Sequence, residues 1–379
     1  MNQSANENLY PSTARDVQAI ITAQLQQLWA QPERADKVAP LMLWGAPGVG
    51  KSTIVRDLCQ RQNIDFIDIR LAQREPVDLR GLPVPKDDHV DWLLAGEWPR
   101  DPDSRGIILF DELSAADRTL QAAAYEIILD RRLGDLYRLP PGWLVLGAGN
   151  RMTDRAVAYS FSSALANRFC HLNLEPDVEQ WCRWAQQQGL DPTVIGFLKF
   201  APENFFNMEG STEQGWPSPR SWERVAETIG QAERLGLNAQ QQRIIVNGLI
   251  GAGAAAAFFA YRETAEELPD VGAMLRGEIP VRVPRTNDAV YALCAAVTHY
   301  LWRADKRDYH ARLQVLFSIS SKLSSDFATM LMLDSLRDYE HGGERLHEQR
   351  AERVFSHPGY TDWTAQHGMQ FTAALESLV

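Results

Sequence analysis

The sequence predicts an α/β fold, a doubly wound parallel sheet, followed by a region built only of helices. Two observations lead to this prediction. Up to residue 150, short apolar runs typical of buried strands alternate with stretches of helical periodicity, which is the pattern of a sheet covered by helices. After Glu175 and Pro176 the strand pattern ends, and apolar residues recur only at helical spacing. At 379 residues the chain is also longer than one hydrophobic core normally supports.

The elements of the predicted sheet domain follow one another in a regular order. A helix over residues 13–29 comes first, because apolar residues recur at helical spacing and Ser12 is a suitable cap. Further predicted elements are strands at 39–44, 66–71, 107–110 and 143–148 and helices at 51–62 and 120–133. We therefore expect one α/β domain at 13–175, preceded by a flexible N-terminus at 1–12.

The remainder of the chain is predicted to be helical and to divide at a stretch interrupted by prolines. Residues 266–288 hold three prolines and are expected to form a linker or a meandering loop. A helical domain is thus expected at 176–265 and a C-terminal helical region at 289–379. Helices predicted before the linker are 178–188, 192–200, 219–235 and 239–261. Within the last of these, residues 246–261 are rich in alanine and glycine and too short to span a membrane, so they predict a buried helix.

The composition disfavours several classes of protein. Four scattered cysteines form no paired motif, which disfavours a disulfide framework or zinc ribbon and favours a reducing, cytoplasmic setting. The first fifteen or so residues are polar, so no secretory signal is expected. The formal net charge of −11 disfavours nucleic acid as the main partner, although a local basic patch is compatible with it.

A phosphate-binding loop is the most specific motif in the chain. Gly45-Ala-Pro-Gly-Val-Gly-Lys51-Ser52 matches G-x-x-x-x-G-K-[ST] in full, between a predicted strand and a predicted helix. Its glycines let the backbone fold round a phosphate, and the helix adds its positive N-terminal end. Lys51 is expected to reach the β- and γ-phosphates of ATP, and Ser52 to bind Mg²⁺. The predicted nucleotide-binding residues are Gly45, Ala46, Pro47, Gly48, Val49, Gly50, Lys51, Ser52 and Thr53.

Two further strands carry polar residues at their carboxyl ends, where ligands bind in such sheets. After the strand at 107–110, Asp111 is expected to hold Mg²⁺ through water, and Glu112 to orient and deprotonate the attacking water. Asn150 follows the strand at 143–148 and can hydrogen-bond the γ-phosphate or that water. The alternative for Asn150 is an asparagine that serves a turn.

With these elements in order, the sequence resembles the AAA+ superfamily and, within it, the MoxR family. The resemblance extends over about residues 41–224. Four segments are similar to family motifs. Glu75-Pro-Val-Asp78-Leu-Arg-Gly81 is similar to the segment that leads into an insertion in the second helix, and Asp111-Glu-Leu-Ser-Ala-Ala116 is similar to the Walker B segment. Ser163-Ala-Leu-Ala-Asn-Arg168-Phe169 is similar to the arginine-finger motif, and Pro217-Ser-Pro-Arg220 is similar to the sensor 2 motif of the helical lid.

The resemblance implies a ring, usually of six subunits, with ATP sites between neighbours. Arg168 would then reach the adjacent subunit's site and stabilise transition-state charge. Arg220 would bind phosphate from the lid; Ser218 as cap and Pro219 at the first position predict it in a helix's first turn. A surface salt bridge is the alternative for each arginine. Arg151 and Arg155 are alternative candidates to Arg168 for the role across the interface.

The chain departs from the family pattern at three places. Gly147-Ala-Gly149 stands where the family usually has an alanine–threonine pair, Ser114 where asparagine is common, and Arg151 where proline is general. Segments 82–98 and 132–139 resemble family hairpins that face the pore. In the first of them, Trp92 and Trp98 are either contacts for a client or buried side chains.

The resemblance implies a chaperone-like ATPase that remodels a client protein with a von Willebrand factor A-type partner protein. A DNA motor or helicase loader is the alternative, since related AAA+ branches with the same insertion drive DNA. The acidic balance and the lack of a basic helix or zinc module disfavour it. A nucleotide-binding scaffold that rarely hydrolyses is a further alternative, disfavoured by Glu112, Asn150 and Arg168 together.

Overall fold

A six-stranded parallel sheet forms the centre of the first of two structural units. The computed structural model describes residues 10–154, 166–208, 215–303, 305–336 and 344–376, with the backbone alone at 344–348. The first unit ends at Asp177, and the second begins at Val178. The predicted fold class, a parallel sheet with surrounding helices followed by a helical region, is confirmed.

The sheet places the ends of its central strands side by side. Its strand order is β1-β10-β2-β9-β6-β3, and every neighbouring pair is parallel. The strands of the first unit are β1 (Pro11–Ser12), β2 (Leu41–Trp44), β3 (Asp65–Arg70), β4 (Leu82–Pro85), β5 (Val90–Leu93), β6 (Gly106–Asp111), β7 (Arg132–Leu133), β8 (Tyr137–Arg138), β9 (Trp143–Gly149) and β10 (Cys170–Leu174). Its helices are α1 (Ala14–Ala30), α2 (Lys51–Gln62), α3 (Pro76–Arg80) and α4 (Arg118–Asp130).

Burial on both faces explains why the central strands could be predicted from apolar runs. All seven residues of β9 and the first five of β6 are buried. Two antiparallel hairpins, β4–β5 and β7–β8, lie within the predicted insertions. In the first insertion Trp98 belongs to the core, whereas Trp92 on β5 is 43% exposed. Of the two tryptophans, only Trp92 is accessible to another molecule.

Three features of this unit differ from the prediction. Strand β10 was not predicted, because exposed polar residues such as His171 alternate in it with buried ones such as Leu172. Strand β1 pairs with β10 inside the segment expected to be flexible. The cap of α1 is Thr13 rather than Ser12: its hydroxyl accepts from the Asp16 N–H at 3.2 Å, and the Asp16 carboxylate accepts from the Thr13 N–H at 2.9 Å.

The second unit contains no strand among its described residues. Its described helices are α5 (Val178–Gln188), α6 (Pro192–Phe200), α7 (Pro219–Gly230), α8 (Ala239–Ile250), α9 (Ala252–Glu266), α10 (Val271–Leu275), α11 (Asn287–Leu301), α12 (Tyr309–Ser320), α13 (Ser325–Leu336), α14 (Glu344–Phe355) and α15 (Pro358–Glu376). The single helix predicted at 239–261 is two helices, because Gly251 adopts φ 78°, a conformation that favours glycine. The predicted linker holds α10, whose five residues are all buried.

Two hydrophobic clusters form the core of the second unit. The first is built on α5 to α9 around Phe197, Trp222 and Phe258, and the second on α10 to α15. Helix α11 contributes to both through the adjacent residues Ala292 and Leu293. Across the described parts of the whole chain, the helices are too short or too polar to cross a membrane.

The C-terminal helices bury a histidine in a way that makes their stability depend on pH. His357 is 3% exposed, and its ring stacks on Phe317 and lies 4.6 Å from that of His310. Burial, and next the charge of His310, lower the pKa of His357. The folded state therefore favours neutral His357, whereas an unfolded histidine takes up a proton near pH 6.5. This stabilisation is fully present above that pH and is lost as the pH falls through it.

We expect His357→Phe to reduce the loss of stability on acidification. The measurement is the free energy of unfolding at pH 7.5 and pH 5.5, where each proton bound only by the unfolded state contributes up to about 1.4 kcal/mol per pH unit. The wild type should lose more stability than the variant between these values. An equal loss in both proteins would show that His357 does not contribute to the pH dependence.

Candidate nucleotide-binding site

The phosphate-loop motif lies between the end of β2 and the start of α2. Gly48 and Gly50 adopt φ values of 83° and 95°, which side chains rarely tolerate. At Gly45 a Cβ atom would lie 2.9 Å from the carbonyl oxygen of Leu174, so that only glycine fits there. The motif therefore has a strand before it, a helix after it and glycines where the backbone requires them. This is the geometry that a phosphate-binding loop needs.

The ammonium group of Lys51 joins this loop to the neighbouring strand. It donates to the carbonyl oxygens of Gly45 at 2.6 Å and Ala46 at 3.2 Å, and to Oδ1 of Asn150 at 2.9 Å. Asn150 directly follows β9, and the Gly45 N–H also donates to the Gly149 carbonyl at 3.3 Å. Lys51 is buried, so its charge faces the loop rather than bulk water. The Lys51 ammonium and the Asn150 side-chain amide thus meet at the carboxyl ends of β2 and β9.

The acidic pair Asp111 and Glu112 lies at the end of β6, in the strand next to β9. The Ser52 hydroxyl donates to Oδ2 of Asp111 at 2.5 Å, and the Glu112 N–H donates to Oδ1 of Asp111 at 2.9 Å. Ser52, whose hydroxyl can ligate a cation, therefore contacts the Asp111 carboxylate at the end of β6. A hydroxyl and a carboxylate in contact are oxygen ligands of the kind that Mg²⁺ prefers.

The backbone of Glu112 adopts an uncommon conformation. Its φ is 58°, in the left-handed region that residues other than glycine seldom occupy. Its carbonyl accepts from the N–H groups of Ala115 at 2.9 Å and Ala116 at 3.2 Å, and the Leu113 N–H donates to the Ala148 carbonyl at 2.9 Å. These bonds hold the strained turn, in which Glu112 is partly exposed. Such strain is common at functional sites.

Ser114 is a positioning residue that the sequence prediction missed. Its buried hydroxyl accepts from the Asn150 N–H at 3.1 Å and donates to the Asn150 carbonyl at 3.2 Å. A Cβ atom at position 149 would lie 2.5 Å from this hydroxyl. Ser114 and Gly149 are therefore complementary: the glycine leaves room for the serine that holds Asn150.

The negative charge of Asp111 at the end of β6 affects the pKa of a neighbouring carboxylate, that of Asp68. Asp68 on β3 is paired with Arg56 at 3.3 Å, and its Oδ1 is buried and accepts no hydrogen bond among the described residues. Burial, and next the charge of Asp111, raise the pKa of Asp68. The field at this edge of the sheet is therefore negative beside Asp111 and positive at Lys51, which suits a metal-bound polyphosphate.

The described residues include no cluster of three or more histidines, cysteines and acidic residues that could hold a metal ion by themselves. Ser52 and Asp111 supply only two oxygen ligands. This fits Mg²⁺, which usually binds one or two protein carboxylates and takes its other ligands from phosphates and water. The donor set is thus compatible with Mg²⁺ carried by a nucleotide.

The predicted arginines occupy different surroundings. Arg168 is exposed at the turn before β10 and makes no ion pair with the described residues, whereas Arg151 pairs with Asp154 at 3.3 Å and Glu175 at 3.6 Å. Arg155 and the first three residues of the motif at 163–169 lie outside the described residues.

Arg220 belongs to the second unit, and its local prediction is confirmed. Ser218 caps α7 by accepting from the Ser221 N–H at 3.2 Å, and Pro219 takes the first position. Arg220 is therefore exposed in the first turn of the helix. The structure brings Lys51, Ser52, Asp111 and Asn150 together; it gives no relation between Arg220 and these residues.

Comparison with known proteins identifies the type of domain. Residues 41–169 match the family model "ATPase family associated with various cellular activities (AAA)". This part of the chain is an AAA ATPase domain, and the chain is an ATPase. No curated protein matches the chain.

Several solved structures resemble the chain at low sequence identity. A RuvB variant from Thermotoga maritima is 14% identical, with 82% of this chain and 92% of that chain covered and a TM-score of 0.36. NtrX from Brucella abortus, in complex with ADP, is 15% identical, with 89% and 72% covered and a TM-score of 0.34. A protein from Cytophaga hutchinsonii that is named a "putative ATPase" is 15% identical, with 86% of this chain and 96% of that chain covered and a TM-score of 0.29.

We expect Ser114→Ala to lower kcat for ATP hydrolysis about fivefold to tenfold with little change in ATP affinity. The substitution removes bonds that hold the Asn150 backbone, and one such bond is worth about 1 kcal/mol. Steady-state hydrolysis and calorimetric ATP binding measure the two quantities. An unchanged kcat would show that Asn150 does not need this serine.

The complementarity of Ser114 and Gly149 gives the control. Gly149→Ala alone should destabilise the protein by about 1–3 kcal/mol, because it overpacks the site. In the Ser114→Ala background the same substitution should cost less, since the hydroxyl is gone. Denaturant unfolding of the four proteins measures this coupling, and strictly additive effects would contradict the proposed contact.

Proposed function

We propose that this chain is a MoxR-like AAA+ ATPase that assembles into a ring, hydrolyses ATP with Mg²⁺ and uses the reaction to remodel a partner protein. The observation that carries the proposal is the convergence of Lys51 and Asn150 beside the contact between Ser52 and Asp111. These four side chains come from the start of one helix, α2, and from the ends of two strands, β6 and β9. Such a set has no evident structural purpose other than binding a charged ligand.

Binding is assigned to the loop and its lysine. Backbone N–H groups of the loop would surround the phosphates, and Lys51 would turn from the Gly45 and Ala46 carbonyls to the β- and γ-phosphates. Ser52 and Asp111 would hold Mg²⁺, Ser52 as a ligand and Asp111 through water. Mg²⁺ bound there would supply positive charge that stabilises the charge developing on the phosphates.

Hydrolysis is assigned to Glu112 and Asn150. Glu112, whose backbone is held in the left-handed conformation, orients the attacking water and accepts its proton. Asn150 donates a hydrogen bond to the γ-phosphate or orients the same water from the other side. Because Lys51 already contacts the Asn150 amide, both groups can reach one phosphate.

The role across the subunit interface is assigned to Arg168. Its guanidinium is exposed, whereas that of Arg151 is held by Asp154 and Glu175 within its own subunit. An arginine that stabilises a neighbour's transition state must be accessible at the surface. Arg220, also exposed, is assigned to phosphate binding from the helical lid.

Remodelling of a protein client is supported by an exposed apolar hairpin. Leu82, Val90, Trp92 and Leu93 on β4 and β5 are each at least 43% exposed. Apolar residues clustered on a surface usually mark contacts with another molecule. The client, and a von Willebrand factor A-type partner, follow from the family resemblance, while the hairpin supplies a surface for contact.

Mixing two inactive variants tests the ring and the assignment of Arg168. Arg168→Ala keeps Glu112 but offers no arginine, and Glu112→Gln keeps Arg168 but lacks its own base. Each alone should bind ATP with near wild-type affinity and hydrolyse it at least about 10³-fold more slowly, the lower range for arginine fingers. A mixture should regain activity at interfaces where an intact Glu112 meets an intact Arg168, at concentrations that allow assembly.

Differential tags establish whether mixed assemblies form, and Arg151→Ala is the matched control. The control should retain hydrolysis, because Arg151 is assigned no role in trans. A mixture that assembles but stays inactive would contradict the trans role of Arg168. Normal hydrolysis by Arg168→Ala alone would remove this residue from the mechanism.

A further inference from the structure

The turn that carries Arg168 is held by a histidine from the following strand. Nε2 of His171 on β10 lies 2.8 Å from the carbonyl oxygen of Ala166. The same carbonyl accepts from the Phe169 N–H at 3.4 Å, which closes a turn over residues 166–169 with Arg168 inside it. The His171 ring also packs against Phe169 at a centroid distance of 6.2 Å.

The other side of this imidazole contacts the last residue before the phosphate loop. Nε1 of Trp44 donates to Nδ1 of His171 at 2.8 Å, and the two ring planes lie within 14° of parallel with their centroids 6.0 Å apart. Trp44 ends β2 and is followed by Gly45, whose carbonyl accepts from Lys51. The pair joins residues 127 positions apart in the chain.

The two contacts determine which nitrogen of His171 carries the proton. An indole N–H only donates, so Nδ1 must accept and carries no hydrogen. A carbonyl oxygen only accepts, so Nε2 must carry the hydrogen and donate it to Ala166. Neutral His171 with its proton on Nε2 is thus the single form that satisfies both neighbours.

We propose that His171 is a positioning residue that holds the Arg168 turn against Trp44. The strand before a subunit's own phosphate loop, β2, thereby fixes the position of the Arg168 that the subunit presents to its neighbour. This rests on the proposed role of Arg168 in trans. The connection runs from Lys51 through the Gly45 carbonyl to Trp44, and from there through the imidazole to Ala166. The imidazole of His171 therefore connects the subunit's own phosphate loop to the Arg168 that would enter the neighbouring subunit's site.

Three substitutions separate the contacts of His171. Glutamine places an amide N–H near the position of Nε2 and keeps the bond to Ala166, whereas asparagine can only replace Nδ1. Phenylalanine keeps an aromatic ring beside Trp44 and Phe169 and loses both hydrogen bonds. We expect His171→Phe and His171→Asn to lower kcat about tenfold or more, because a displacement of about 1 Å can lower a rate about 10²-fold. His171→Gln should retain most activity.

The affinity for ATP separates positioning from general damage. Calorimetric Kd values should stay within about twofold of wild type in all three variants, because His171 does not touch the nucleotide loop residues that bind ATP. Circular dichroism and thermal unfolding check the fold of each variant. If His171→Phe does not fold, the asparagine and glutamine variants carry the test. Activity of His171→Asn equal to or above that of His171→Gln would overturn the proposal.

Mixing shows on which site His171 acts. His171→Phe retains Glu112 and a misplaced Arg168, so Glu112→Gln subunits should rescue it as they rescue Arg168→Ala. If the Arg168→Ala mixture recovers and the His171→Phe mixture does not, His171 acts on its own subunit's site, and this proposal alone fails. If neither mixture recovers in assemblies shown to be mixed, the trans role of Arg168 fails, and this proposal fails with it.

Discussion

The hydrogen bond between the Lys51 ammonium and the Asn150 side chain is the interaction on which the site depends. It joins the loop after β2 to the end of β9, and the parallel sheet makes it possible because it aligns the carboxyl ends of neighbouring strands. A buried ammonium needs several acceptors, since desolvating an unpaired charge is costly. The carbonyls of Gly45 and Ala46 supply further acceptors, so the loop is arranged round the charge of Lys51.

The surrounding residues are shaped to this arrangement. Ser114 holds the Asn150 backbone on both sides, and Gly149 is small enough to admit the serine. Glu112 is held in a left-handed conformation between Asp111 and the first turn beyond it. Each of these groups is fixed by hydrogen bonds rather than by packing alone. Such preorganisation lets a site stabilise developing charge without rearranging during the reaction.

Local patterns predicted much of the fold, whereas contacts between distant segments could not be predicted. The bounds of α2 follow from the phosphate-loop motif, and β6 and β9 from their apolar runs. Strand β10 was missed, because an alternation of polar and apolar residues over five positions is a weak signal. The contact of Ser114 with Asn150 and that of Trp44 with His171 depend on strand order, which no single segment encodes. For the same reason, the motifs predicted which residues bind, but not what positions them.

Calorimetric titration of ATP and Mg²⁺ into the wild type and Lys51→Ala tests the account most directly. A charge-assisted hydrogen bond contributes about 1.5–3 kcal/mol, so the variant should bind ATP at least about tenfold more weakly. Lys199→Ala is the matched control, since this lysine pairs with Asp334 in the second unit and should leave the affinity unchanged. Equal ATP affinity in the wild type and in a folded Lys51→Ala protein would contradict the assignment of the site.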